Sequence, residues 1–255
     1  MSERNKSTDA VILTIKNLGE TNRLVTFFSP ETGISSSVLY GGAKSKMKSL
    51  LQPFNHGILY IYNDEVKNTS KIKDFDVKDF YLNMKQNLYK MMAANLACEI
   101  ILKTKAAGDY KNAFVLLNAF LKGLDLSSEN ESRLGTIRFL FRYLTLLGLQ
   151  VNPHICCDCQ ESLLSKENES FYLHHKNGFV CGNCINHYDK KERIFPLDKY
   201  ALTYIAAIND LSPSKVRSLV IPQKSAWQMK NLVFNLINNA AGGNLATLKN
   251  ADSIL

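Results

Sequence analysis

No Asp or Glu occurs between Glu31 and Asp64, between Glu131 and Asp158, or between Asp210 and Asp252. Long apolar runs are missing too. The most apolar stretch, IRFLFRYLTLLGL (137–149), is broken by Arg138 and Arg142, and no run of about 18 apolar residues exists to span a bilayer. The opening MSERNKSTDA carries no apolar signal segment. The chain is therefore expected in the cytoplasm, without a membrane partner, where thiols stay reduced. Its six cysteines then read as free or metal-bound rather than as disulfides. Also absent are a Walker-type phosphate loop, G-x-G-x-x-G, G-x-S-x-G and H-E-x-x-H. No internal repeat or low-complexity segment occurs. The expectation is a protein that is not an enzyme.

What remains is basic and foldable. Apolar residues make up 45% of the 255-residue chain and charged residues 21%, ordinary for a folded domain. The formal charge of +8 suggests a polyanionic partner. The excess gathers in the acid-free runs: Lys44, Lys46 and Lys48 in YGGAKSKMKSLLQPF (40–54), Arg133, Arg138 and Arg142, and Lys215, Arg217, Lys224, Lys230 and Lys249.

Residues 1–77 read as short strands, 10–16, 23–29, 33–40, 57–62 and 69–75, separated by turn signals. Five strands with one longer insertion fit a small β-barrel, an OB-fold or an SH3-like barrel. From Val77 the apolar period changes to three and four. Phe80, Met84, Leu88, Met91 or Met92, and Leu96 form one expected stripe. Further helices are expected over 110–123, 133–147, 197–208 and 222–240. The expected architecture is an α+β multidomain chain: an N-terminal small barrel (1–77), then a mainly helical domain (78–255) with a zinc-ribbon-like insert at 151–195.

That insert holds HICCDC and VCGNC, two C-x-x-C knuckles. Cys156, Cys159, Cys181 and Cys184 at this spacing point to one tetrahedral zinc ion. Four thiolates would fill its coordination, so the site reads as structural. A redox dithiol is the alternative. Cys157 is left free, His154, His174, His175 and His187 are nearby loop histidines, and Cys98 reads as core.

The lysine cluster admits two readings, a solvated loop or a phosphate-binding loop. Its place in the long loop of a barrel, between Tyr40 and Phe54, favours the second. Arg138 and Arg142 share a helix face amid Phe139, Phe141 and Tyr143. They suit either acids of their own domain or a peptide ending in a carboxylate.

Several residues resemble the bacterial recombination mediator family RecO: Gly42-Ala43-Lys44, Lys48-Ser49 and Leu51-Gln52-Pro53-Phe54, preceded by Gly19-Glu20, Arg23, Phe27-Phe28-Ser29 and Glu31-Thr32-Gly33. Arg138-Phe139-Leu140 through Gly148 and Pro153, and Phe171, Gly178, Cys181 and Cys184, continue it. Leu18, Ser29 and Asn177 depart from it, standing where tyrosine, threonine and glycine are usual. The resemblance implies an OB-fold, a helical domain and commonly a zinc module. It implies binding of single- and double-stranded DNA, annealing of complementary strands, and action with RecR to help RecA replace single-strand binding protein. Arg23, Lys44, Lys46 and Lys48 are expected at phosphates and Tyr40 or Phe54 at a base, the competing reading of Phe54 being core packing after a proline. Lys215, Arg217, Lys224 and Lys230 are candidates for a second DNA surface. Arg138 and Arg142 are expected at the acidic tail of single-strand binding protein. A nucleoid association during repair follows. The rival classes are a zinc-ribbon RNA-binding or translation-associated factor and a structural scaffold.

Overall fold

The computed structural model describes residues 5–42, 45–64, 69–165, 169–189, 193–250 and 254–255. The chain divides into two compact units, Met1–Gly135 with Leu245–Leu255, and Thr136–Asn244.

The first unit opens with five strands: β1 (Asn5–Leu18), β2 (Asn22–Ser29), β3 (Gly33–Leu39), β4 (His56–Asp64) and β5 (Thr69–Asp79). They close a barrel in the order β1-β2-β3-β5-β4. Four of the expected strands lie within these and the third, 33–40, runs one residue past β3; the barrel is OB-like. β1 serves two neighbours. Asn5–Val11 pairs with β4 and Val11–Leu18 with β2, with a register shift between Ile12 and Thr14 that bends the strand around the barrel. A parallel bridge from Val38 to Lys71 completes the closure, so no edge is left open. Period-two alternation sends Ala10, Ile12, Val25, Phe27, Leu39, Leu59 and Ile61 inward, and a register shift on β5 brings both Ile72 and Phe75 in with them. Each large side chain so buried contributes roughly 1.5–3 kcal/mol. At Gly57 a Cβ would lie 2.1 Å from the Asp76 carbonyl oxygen, so the β4–β5 bulge admits only glycine there.

Helices follow: α1 (Leu82–Lys85), α2 (Leu88–Thr104), α3 (Tyr110–Leu126) and α4 (Glu129–Leu146). Asn87 and Asp109 cap α2 and α3, accepting from the N–H groups of Lys90 and Asn112. α3 lies on the barrel through Phe114, whose ring centroid is 5.7 Å from that of Phe28. Beside it, His56 is buried between Asp79 (Nδ1, 2.8 Å) and Asp9 (Nε2, 2.8 Å). The expected stripe from Phe80 to Leu96 does not hold as drawn. Phe80 and Leu88 are 40% and 59% exposed, whereas Met84 and Leu96 are buried. β5 continues to Asp79, and the chain turns between α1 and α2. α2 is then buried over most of its circumference, including Tyr89, Ala93, Ala94, Ala97, Cys98, Ile100 and Ile101, so it has no single apolar face.

In the second unit a three-stranded antiparallel sheet, β6 (Ser170–Leu173), β7 (Gly178–Cys181) and β8 (Ile194–Leu197), has the order β7-β6-β8. α5 (Lys199–Asp210), α6 (Pro213–Arg217) and α7 (Gln223–Ala240) follow it. Asp198 caps α5 at the N–H of Ala201 and also accepts from the Ser225 hydroxyl, tying α5 to α7. α8 (Ala246–Asn250) belongs to the first unit, where the Glu99 carboxylate accepts from the N–H groups of Ala246 (2.8 Å) and Thr247 (2.9 Å). Among the described residues no helix is long and apolar enough to cross a membrane.

Candidate metal centre and nucleic-acid interface

The sheet of the second unit brings the two knuckles together. Cys181 ends β7 and Cys184 opens the turn after it, while Cys157 N–H donates to the Phe179 carbonyl (2.8 Å) and draws the first knuckle alongside. The Sγ atoms of Cys156, Cys159, Cys181 and Cys184 all lie within 4.8 Å of one another. Thiolates about 2.3 Å from a tetrahedral ion would stand roughly 3.8 Å apart. Cys159 and Cys181 are separated by 3.8 Å.

The electrostatics fit a cation. Burial pushes the Cys156 thiol up, but the N–H groups of Cys159, Cys181 and Asp158 outweigh it and bring the thiol to about 7. Cys181 is likewise lowered, burial being outweighed by the N–H groups of Cys184 and Asn183. Cys184 is raised, by burial and by hydrogen bonds with the neighbouring thiols. Four such sulfurs ionise together only when a positive ion relieves their repulsion. The four cysteines form a group able to hold a metal ion.

Cys157 stands outside this group. Its Cβ lies 3.2 Å from where a Cβ on Gly178 would be, so the hairpin packs on it. Asn177, at the departure from the family pattern, adopts φ 46°, a left-handed conformation that asparagine tolerates better than most residues. Cys98 is buried in α2, which pushes its thiol up to about 12.

The basic loop is built onto the barrel. Lys46–Lys48 form one 3₁₀ turn, capped by the Ser45 hydroxyl at Met47 N–H (3.2 Å). Met47 and Leu50 pack against the barrel core, Leu51 is 1% exposed and Phe54 3%. Phe54 N–H donates to the Ile12 carbonyl (2.8 Å), and Asn55 donates from Nδ2 to the Leu50 carbonyl (2.7 Å). With the alternate residues anchored, Lys46 and Lys48 are exposed. Phe54, one of two stacking candidates, belongs to the core; Tyr40, the other, is 55% exposed. Arg23 lies at the loop entrance, its Cγ 2.7 Å from where a Gly42 Cβ would sit. Lys44 lies outside the described residues.

The two arginines of α4 differ. Arg138 is buried and donates from Nη1 to the Tyr204 hydroxyl (2.8 Å). Arg142 keeps Nη2 buried without a hydrogen-bond partner. Its guanidinium is lowered by burial and by the like charges of Arg138 and Arg217, which Tyr204 partly opposes. Sequence reasoning grouped Arg217 with other basic residues of 211–251. Only the fold shows that α6 carries it toward Arg142.

A family model described as Recombination protein O N terminal matches residues 1–81, and one described as Recombination protein O C terminal matches residues 85–249. The chain is 25% identical over 247 residues to a DNA repair protein RecO of Streptococcus thermophilus, covering 96% of this chain and 91% of that protein. It is 27% identical over 197 residues to the DNA repair protein RecO of Shouchella clausii, covering 75% and 72%. It is also 27% identical over 190 residues to that of Syntrophotalea carbinolica, covering 72% and 71%. With barrel, helical region and cysteine group in place, and both family models spanning nearly all of it, the chain belongs to the RecO family of DNA repair proteins.

Proposed function

We propose that this protein is a non-enzymatic recombination mediator. It binds single- and double-stranded DNA, anneals complementary strands, and with RecR helps RecA onto strands coated by single-strand binding protein. The observation that carries this reading is the 45–54 loop, whose apolar residues are locked into the barrel while Lys46 and Lys48 stay exposed. Anchored lysines reach backbone phosphate without first paying to order the loop. Arg23 and Tyr40 flank its entrance, and Lys44 completes the cluster in sequence. No covalent step is needed: annealing requires two strands held close with their charge screened.

Arg142 and Arg138 receive the acidic C-terminal tail of single-strand binding protein. Arg142 as a whole is only partly buried, so a carboxylate can pair with its guanidinium, and Arg217 adds a third positive charge beside it. Cys156, Cys159, Cys181 and Cys184 hold one Zn²⁺, which supplies no reaction chemistry and cross-links the two knuckles. The protein acts in the cytoplasm, at the nucleoid during repair.

The test is annealing of complementary oligonucleotides coated with the cognate single-strand binding protein. The wild type is expected to accelerate it, and the Lys44→Ala/Lys46→Ala/Lys48→Ala variant to lose most of that acceleration. A variant as fast as wild type moves the DNA surface off the loop. No acceleration by the wild type, with tighter binding of RNA than of DNA, overturns the mediator reading.

A further inference from the structure

The outer wall of β4 and β5 carries a second arrangement suited to nucleic acid. Leu59 and Ile61 of β4 point into the barrel, so Tyr60 and Tyr62 point out, and Tyr60 is 42% exposed. On β5, Ile72 points in, leaving Lys71 and Lys73 outward. The Lys71 ammonium lies 4.7 Å from the Tyr62 ring centroid and that of Lys73 lies 5.6 Å away. Among the described residues, neither lysine has a carboxylate within ion-pair distance. The nearby Asp74 is engaged with its own strand, accepting from the Phe75 N–H at 2.8 Å. A groove of about 400 Å³ runs beside Tyr60, lined also by Asn5, Lys6, Ser7, Ile61, Lys73 and Asp74, so its two lysines outnumber its one carboxylate.

We propose that this face is a base-stacking platform for single-stranded DNA. Tyr60 takes the face of an unpaired base, while Tyr62 positions Lys71 and Lys73, which hold the flanking phosphates. The proposal rests on the DNA-binding reading above and adds to it a surface on strands rather than on the 45–54 loop. Three features select the ligand. An exposed tyrosine face is sequence-tolerant and matches any base. Ammonium groups held against a ring and, among the described residues, without a carboxylate at ion-pair distance are complementary to a polyanion. The lining of Asn and Ser offers hydrogen bonds to a strand whose edges are unpaired. A duplex stacks its bases on each other and offers none to Tyr60.

The experiment compares two oligonucleotides of equal length and charge, one of thymidines and one abasic throughout, with the full-length protein. Wild type is expected to bind the thymidine strand about tenfold more tightly, the scale of a stacked base. The Tyr60→Phe/Tyr62→Phe variant keeps the preference. The Tyr60→Ala/Tyr62→Ala variant binds both strands with the affinity that wild type shows for the abasic one. Tyr60→Ser, at an exposed position, reads the same loss should the double variant unfold. A persisting thymidine preference in folded alanine and serine variants overturns the platform and leaves the DNA-binding reading standing. Failure of the wild type to bind either strand overturns both. A uridine RNA of equal length is the third arm. Tighter binding of it, lost in the alanine variant, reassigns the platform from DNA to RNA.

Discussion

On the proposed reading, Arg142 sets binding against stability within one side chain. A buried guanidinium nitrogen without a partner costs free energy, and the charges of Arg138 and Arg217 add to it. Replacing the group by an apolar one removes that cost. Arg142→Leu is therefore expected to stabilise the protein by roughly 1 kcal/mol, raising the thermal midpoint by a few degrees. The same variant is expected to bind an acidic tail peptide at least about tenfold more weakly, as loss of a charge-assisted hydrogen bond implies. Calorimetry and peptide titration check the two halves. A destabilised variant would show that Arg142 has a partner within the fold. Arg138→Leu is expected to behave in the opposite way in stability, because its guanidinium is bonded to Tyr204 and its loss leaves that hydroxyl short of a donor.

Two elements depend on small sets of side chains. α8 has only five residues and is fixed to α2 by the Glu99 carboxylate. Burial raises Glu99, but the Thr247 and Ala246 bonds and the Lys103 charge outweigh it, so its carboxyl lies below the ordinary 4.5. A folded value below the unfolded one gives stability that is present above about 4.5 and lost as pH falls through the folded value. Hydrogen exchange of the amides in α8, taken relative to their intrinsic rates, is therefore expected to accelerate on acidification through that range. Glu99→Ala is expected to show the accelerated exchange already at neutral pH. On the proposed reading, the sheet that carries the cysteine group depends on a bound metal in the same way. Its three strands have four residues each, too few to hold a sheet alone. A strong chelator or Cys156→Ser is expected to abolish protection in β6 and β7 while the barrel, in the other unit, keeps its own. Full protection after verified metal loss would contradict a structural role.

How far these elements were legible in the sequence follows from how local their determinants are. The barrel strands could be read because alternation and turn residues act within a few positions, and the knuckles because both ligands of each pair sit three apart. The helical stripe from Phe80 to Leu96 was misread because α2 is buried on most sides, which erases the period that marks an amphipathic helix. The closeness of Arg217 to Arg142 and the alignment of Lys71 and Lys73 on Tyr62 were not legible. The first depends on how the chain between them folds back, with α6 set against α5. The second depends on a strand register with a shift between Tyr60 and Ile61.

At the scale of the whole molecule the formal charge of +8 sets how binding responds to salt. Each lysine or arginine seated on a phosphate of a single strand releases counterions and contributes about 0.7 to the slope of log affinity against log salt. A diffuse positive molecule would lose little of that slope on removal of any two charges. Two lysines anchored on a rigid turn would each lose close to their full share. Lys46→Ala/Lys48→Ala is accordingly expected to reduce the slope by about 1.4 and to weaken binding to a similar degree whatever the base sequence. A control pair, Lys215→Ala/Lys224→Ala, removes the same net charge from the other unit. Equal changes in slope for both pairs would mean that net charge governs binding, and a change confined to the loop pair would locate the phosphate contacts on the barrel. If only the control pair changed the slope, the strand would run over the second unit, and the lysines of the loop would be no more than its solvated surface.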